Sequence, residues 1–445
     1  MNKNIKLAVA GAILATASVA NAGILIPAGD WTLDVGGNVN AYTSWSKLND
    51  SNNATIRTTF GAGTGSVAAR SATNSPGSNF GFGNGLLPNF LSVGGTTRQN
   101  DLDVSFVISI QPGSTATNAL NGGTGGVGGM NTGNGGINNR QSFITFGDKS
   151  WGSVKIGKDL GIFASDAILS DMTLLGVGAG AAGAGNTSLG RIGYGYIYAD
   201  WKPQLSYTTP NMSGFQATAG ISTPFTAASV VGGDNGAAAG TALSTSGKNN
   251  ASPAYEGKAS YSFSANDVTG KIWVSGITQR QASFGGAGNN DSTAYAADIG
   301  ANVNMAGFGL TGYYYGGSGI GTQGQMTDGY GYTTNVAGAS GTVAARDSNG
   351  GYVQATYVLP TKTKLGVSWG ISELDKASGE TALTTNLLTS AGNVIKENKM
   401  WTLGVYHPLT KHLNLVAEYN DTRSENQAGQ ENKMRSGNLG AILFF

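Results

Sequence analysis

The sequence contains no cysteine, which excludes disulfides and cysteine-ligated metals. Charge is scarce as well. Asp, Glu, Lys and Arg make up 11% of 445 residues, where about 25% is usual for a soluble domain. The formal charge is +1, so there is no basic excess for nucleic acid and no acidic tail. The two histidines, His407 and His412, flank one short turn and have no further ligands beside them. No nucleophile–base pair stands out. The chain is therefore read as non-enzymatic, with no catalytic residue, metal or cofactor. "GAGAAG" (178–183) spells a dinucleotide fingerprint without its strand–turn–helix setting, and "GGTGGVGG" lacks the Lys-Ser/Thr of a phosphate loop. Long apolar runs are missing too. The run "LAVAGAILATASVA" is shorter than the ~20 residues of a spanning helix. It follows the basic "MNKNIK" and precedes the small-x-small "ANA" (20–22), which is the plan of a cleaved export signal. With no cysteine after that site, a lipoprotein is excluded. The expected division is a signal peptide at 1–22 and one unit at 23–445.

What the chain does have is glycine, 72 residues of it, and an alternation of apolar and polar side chains. A period of two marks strands. It occurs at 30–45, 88–97, 101–111, 140–148, 152–159, 203–209, 214–222 and 254–263, and then at 268–279, 293–304, 307–316, 351–359, 362–372, 398–406, 412–422 and 435–445. In "DLDVSFVISIQ", Leu102, Val104, Phe106, Ile108 and Ile110 share one face, opposite Asp103, Ser105 and Ser109. Every even-numbered segment is followed by a short link, such as "RQN", "NMA" or "HPLTK". The odd-numbered ones are followed by longer connections: 46–87, 112–139, 160–202, 223–253, 280–292, 317–350, 373–397 and 423–434.

Sixteen segments of this kind predict an all-β fold, a 16-stranded antiparallel transmembrane β-barrel with short periplasmic turns and long extracellular loops. A soluble sandwich or a β-solenoid would also show one apolar face per strand. The second face here is polar, Gly-rich and often charged, which suits an aqueous lumen. In lipid every backbone N–H and C=O must be paired internally, so the sheet must have no free edge. The final segment "GNLGAILFF" is thus the closing strand, with Leu439, Ala441, Leu443 and Phe445 on its lipid face. Trp31, Tyr207, Trp401 and Tyr419 are candidates for aromatic girdles.

Three stretches carry a family resemblance. "RQSFITFGDKSWGSVKIGKD" (140–159), "LSYTTPNMSGFQATAGIS" and "VYHPLTKHLNLVAEYNDTR" resemble strand–turn–strand motifs of the Gram-negative general porins. The resemblance implies a homotrimer of 16-stranded barrels, each with its third loop, here 160–202, folded into the pore. It implies acids on that loop, Asp159, Asp166 and Asp171, facing wall cations such as Arg140. Lys155 points inward by alternation. Lys158 matches the basic residue ending the family's fifth strand but points outward, toward a rim or subunit interface. The family's acidic-aromatic loop tip is replaced by "GVGAGAAGAGN". The terminal residues Leu439, Ala441, Leu443 and Phe445 match a last-strand signal for the barrel-assembly machinery. The implied function is a water-filled outer-membrane channel for passive diffusion of small hydrophilic solutes and ions, with outer-membrane lipids around it. A surface adhesin or structural barrel without channel activity stands beside that reading, as does a monomeric substrate-selective channel. Further inward charges by alternation are Asp34, Glu256, Lys258, Lys271, Asp298, Lys364 and Glu418, of mixed sign.

Overall fold

Eighteen strands form a single antiparallel sheet that closes on itself. The computed structural model describes residues 23–48, 78–113, 137–179, 187–225, 252–281, 291–332, 343–380 and 394–445. The first strands are β1 (Ile24–Ala28), β2 (Trp31–Leu48), β3 (Ser78–Gly83), β4 (Phe90–Gln99), β5 (Leu102–Pro112), β6 (Ile137–Asp148) and β7 (Gly152–Leu160). Then come β8 (Trp201–Thr208), β9 (Phe215–Ser222), β10 (Ala254–Ala265), β11 (Val268–Gln281), β12 (Ser292–Met305) and β13 (Phe308–Ser318). A small hairpin, β14 (Tyr330–Tyr332) with β15 (Val343–Ala345), precedes β16 (Asp347–Val358) and β17 (Lys364–Leu374). The chain ends in β18 (Ile395–Pro408), β19 (Leu413–Asn426) and β20 (Glu431–Phe444).

The eighteen strands make sixteen staves, because two staves are each built from two strands. β3 and β4 lie end to end along one side of β2. On its other side, β2 pairs first with β1 (Val35 to Ile24) and then with β20 (Asn38 to Phe444), so β1 prolongs the line of β20. The joint is a reciprocal backbone pair, Gly37 N–H to Phe445 O at 2.8 Å and Phe445 N–H to Gly37 O at 3.0 Å. Each of the sixteen predicted segments lies in a stave of its own. β1 was not among them, and the connection read as 46–87 is shorter, since β2 runs to Leu48 and β3 begins at Ser78. The expected signal peptide at 1–22, most of the segments 46–87 and 223–253, and positions 180–186 of the third loop lie outside the described residues.

The tight links follow from local sequence. β4 and β5 are joined by Asn100 (φ 48°) and Asp101 (φ 63°), and β12 and β13 by Ala306 (φ 48°) and Gly307 (φ 84°). Two successive left-handed residues make the turn whose twist matches that of the flanking strands. No helix among the described residues is long and apolar enough to cross a membrane. Instead the outward face of the sheet is apolar, with Val39, Ile108, Ile144, Ile299, Leu310 and Leu403 each half or more exposed. Aromatic pairs gather toward the short-turn rim: Trp31 with Phe106 (centroids 5.6 Å apart) and Phe308 with Tyr357 (4.4 Å). Trp45, Tyr295, Trp401 and Tyr419 are exposed farther up the wall. Such belts sit at the headgroup level of a bilayer.

Candidate functional site

The connection after β7 turns into the barrel. Its two stems are tied by Gly161 N–H to Asp200 O at 2.8 Å. Between them lie a short helix α1 (Ser165–Ser170) and a 3₁₀ turn at Met172–Leu175, which Asp171 caps by accepting from Thr173 N–H at 2.9 Å. Phe163, Ala167, Ile168, Ile192, Tyr196 and Ile197 of this loop pack on an apolar inner wall made by Trp273, Ile277, Tyr313 and Tyr352. A second cluster joins Met172 and Val177 to Tyr42, Tyr406, Val416, Ile442 and Phe444. Leu87 belongs to it and comes from 84–89, where the second stave breaks and folds inward. These wall residues explain why the inner face is not polar throughout. They are covered by the loop, and each Å² removed from water is worth about 25 cal/mol.

Two wall glutamates clasp the loop from opposite sides. Glu256 on β10 accepts from Ile162 N–H and Phe163 N–H, both at 2.9 Å. Glu418 on β19 accepts from Val177 N–H and Gly178 N–H, both at 2.8 Å, and from Tyr406 O–H at 2.7 Å. A Cβ on Gly176 would collide with the Glu418 carboxylate, so only glycine lets the loop approach this closely. Between the clasps, Tyr42 O–H donates to Leu175 O (2.6 Å) and Tyr352 O–H to Ala167 O (2.8 Å). Arg191, fully buried on the returning limb, donates to Met400 O at 3.1 Å and Thr402 Oγ1 at 3.1 Å, and also to Ser368. The later loop at 319–329 folds in as well. Tyr198 N–H donates to Gln323 O (2.7 Å), and Lys202 Nζ reaches Gln325 Oε1 (3.0 Å).

The anticipated charged residues do not form one constellation. Arg140 points inward but is buried, with its guanidinium 4.5 Å from the Phe90 ring centroid and 4.1 Å from that of Trp201. Asp159 lies within β7 rather than on the loop, and pairs there with Lys155 and with Gln141 Nε2 at 2.9 Å. Asp166 on α1 faces neither Arg140 nor Lys155. It lies between Lys258 Nζ, at 2.9 Å, and Lys271. Burial alone would raise the Asp166 carboxyl, but the two ammonium groups outweigh it and hold the group below the ordinary aspartate range. Asp171 is turned inward on its own loop, accepting from Tyr196 O–H at 2.9 Å with Arg191 Nε 4.0 Å away. Both loop acids are buried, so neither is a solvated loop acid. Lys158 points outward and donates back to Asn139 O at 2.7 Å. At the seam, Leu439 and Leu443 face outward and exposed, while Ala441 and Phe445 are half-buried. Alternation had placed Glu256 and Glu418 on the inner wall. Their roles as clasps were not legible, because the amides they hold are 93 to 241 residues away in sequence.

A closed barrel of sixteen staves with its third loop packed inside is the architecture of a membrane channel, and the comparisons agree. The family model described as Gram-negative porin matches residues 8–427. The chain belongs to this family. The protein is therefore an outer-membrane porin, forming a channel for passive diffusion. No curated protein matches the porin in sequence. Among solved structures, the outer membrane channel DcaP of Acinetobacter baumannii superposes with a TM-score of 0.62 at 14% identity, covering 95% of this porin and 100% of that chain. A trimer form of OmpT from Vibrio cholerae gives 0.51 at 14% identity, covering 93% and 99%. Salmonella typhi OmpF, in complex with daunomycin, gives 0.51 at 12% identity, covering 95% and 100%.

Proposed function

We propose that the porin works as a homotrimer and that its constriction lies between the third loop and the wall formed by β7, β10 and β11. The supporting observation is an asymmetry inside the barrel. Along β18, β19 and β20 the inward residues are buried almost without exception, as at Thr402, Glu418, Asn420, Asn438 and Ile442. On the opposite wall, Ser153, Lys155, Thr218, Lys258, Ser260 and Lys271 keep part of their surface open to the lumen. A water-lined passage bounded by short polar groups and a few ions passes small hydrophilic solutes down their gradient and needs no catalytic group. The trimer is suggested by the trimeric neighbour. The short-turn rim, with the barrel-assembly machinery acting on the closing strand, would face the periplasm, and the long loops the outside.

Planar-bilayer recording tests the channel. Stepwise open conductance is the expected result, and silent membranes from folded protein would instead support a structural barrel or adhesin. Cross-linking of the detergent-extracted protein should yield a trimer band, whereas a single monomer band would favour the substrate-selective monomer. The same recordings address the constriction. Asp166→Asn should move ion preference toward anions and Arg140→Ala toward cations. The Arg140 effect should be the smaller, because that guanidinium is covered by two rings. An unchanged reversal potential in both variants at low salt would remove these residues from the constriction.

A further inference from the structure

We infer that this pore selects small anions, and that Lys155, Lys258 and Lys271 perform the selection; the inference rests on the channel reading above. The charges of the open wall are sorted by depth. The side chains of Lys155, Lys258 and Lys271 are 27%, 22% and 35% exposed, while their partners Asp159 and Asp166 are 8% and 7% exposed. The lysines stand in front of the carboxylates that hold them. The remaining ionisable groups of the described inner wall do not reverse this. Lys202 and Glu256 form a buried pair at 2.5 Å. Asp298 is buried and accepts from Tyr313 O–H at 3.1 Å, Glu418 lies beneath the loop, and Asp171 is buried within it. Lys364 is half-buried over the Tyr406 ring, at the start of β17 beside a short turn. The more exposed acids Asp34, Asp103 and Asp148 lie within a few residues of the short turns, with Arg98 bridging the last two. Asp103 and Asp148 sit at that rim, while Asp34 stands on β2, across the barrel from β10 and β11.

Two lysines share one carboxylate at Asp166, and Asp298, the other acid close to it, is buried, so the surface this cluster presents is positive. An ammonium has three donors. Lys258 donates to Ser165 Oγ at 3.0 Å and is ion-paired with Asp166, and Lys271 donates to Asp166. Both side chains keep part of their surface open, so their remaining donors are available to chloride, phosphate or a small carboxylate. An uncompensated positive charge beside a low-dielectric wall focuses its field across a narrow water column, and selectivity is set there rather than by the total charge of the barrel.

The test is the reversal potential of the purified full-length porin in a planar bilayer under a KCl gradient at low ionic strength. The parent should favour chloride. Lys258→Gln with Lys271→Gln should lower the chloride-to-potassium permeability ratio several-fold, and Lys155→Gln less. Lys258→Arg with Lys271→Arg should keep the parent's preference. The effect should shrink at high salt, because the screening length falls to ~3 Å at 1 M. Heat-modifiable mobility checks that each variant folds. Should the double glutamine variant not fold, Asp166→Asn, which frees both lysines, should raise chloride preference. Conducting pores that favour potassium, or glutamine variants with the parent's reversal potential, would overturn the inference and leave the channel standing. Silent membranes would overturn both.

Discussion

Removing Phe445 is expected to abolish most of the folded barrel. The seam between the last stave and β2 ends in the reciprocal pair between Phe445 and Gly37. Without the residue, Gly37 N–H and O lose both partners at the one place where the sheet must close. An unsatisfied backbone group facing hydrocarbon costs several kcal/mol, and about 1.4 kcal/mol is a factor of ten in an equilibrium. The yield of heat-modifiable barrel should therefore fall by roughly tenfold or more. The side chain matters too. The Phe445 ring lies over Gly37, where even an added Cβ would come within 3.1 Å of it. Deleting one residue of an outer loop leaves every stave paired and should cost little. Equal amounts of heat-modifiable barrel from the two deletions would show that closure does not depend on this residue.

How far the sequence reveals this molecule depends on where each strand's partner lies. Alternation is a local property, and it located all sixteen staves because each has lipid on one face. It did not reveal β1. "ILIPA" carries a proline, does not alternate, and is exposed at every position. It is a strand only because β20 stops short of β2's first residues. Nor did it reveal the break at 84–89. Leu86 and Leu87 fall at the end of the connection read as 46–87, whereas both are buried against the third loop. The same cause limits the reading of the pore. Of the three acids expected on the loop, Asp166 and Asp171 lie there and Asp159 does not, and Asp166 pairs with Lys258 and Lys271 rather than Arg140. Arg140 is nearer to Asp166 in sequence than Lys258 or Lys271 is, yet the loop has already reached β10 and β11 when α1 begins. Residues such as Val416, Ile442 and Phe444 look anomalous on a water-facing wall until the loop that covers them is in place.

That cover depends strongly on one carboxylate. Glu418→Ala removes the common acceptor of Val177 N–H, Gly178 N–H and Tyr406 O–H. Each buried donor left without a partner costs about 1–3 kcal/mol, so the far limb of the loop loses roughly 3 kcal/mol or more of anchorage. The Met172–Val177 segment should then lift from the wall at β18–β20, and single-channel steps should become larger and noisier. Glu418→Gln keeps a carbonyl oxygen that can accept both amide protons, and should stay close to the parent in conductance and noise. The comparison separates the acceptor from the charge. A glutamine variant as perturbed as the alanine one would assign the anchorage to charge. If instead both variants conduct like the parent, the apolar contacts of Met172 and Val177 hold the loop without the clasp. Glu256→Ala is a poorer probe of the same principle, because it also strands the buried Lys202 ammonium, and an unpaired buried charge destabilises the wall itself.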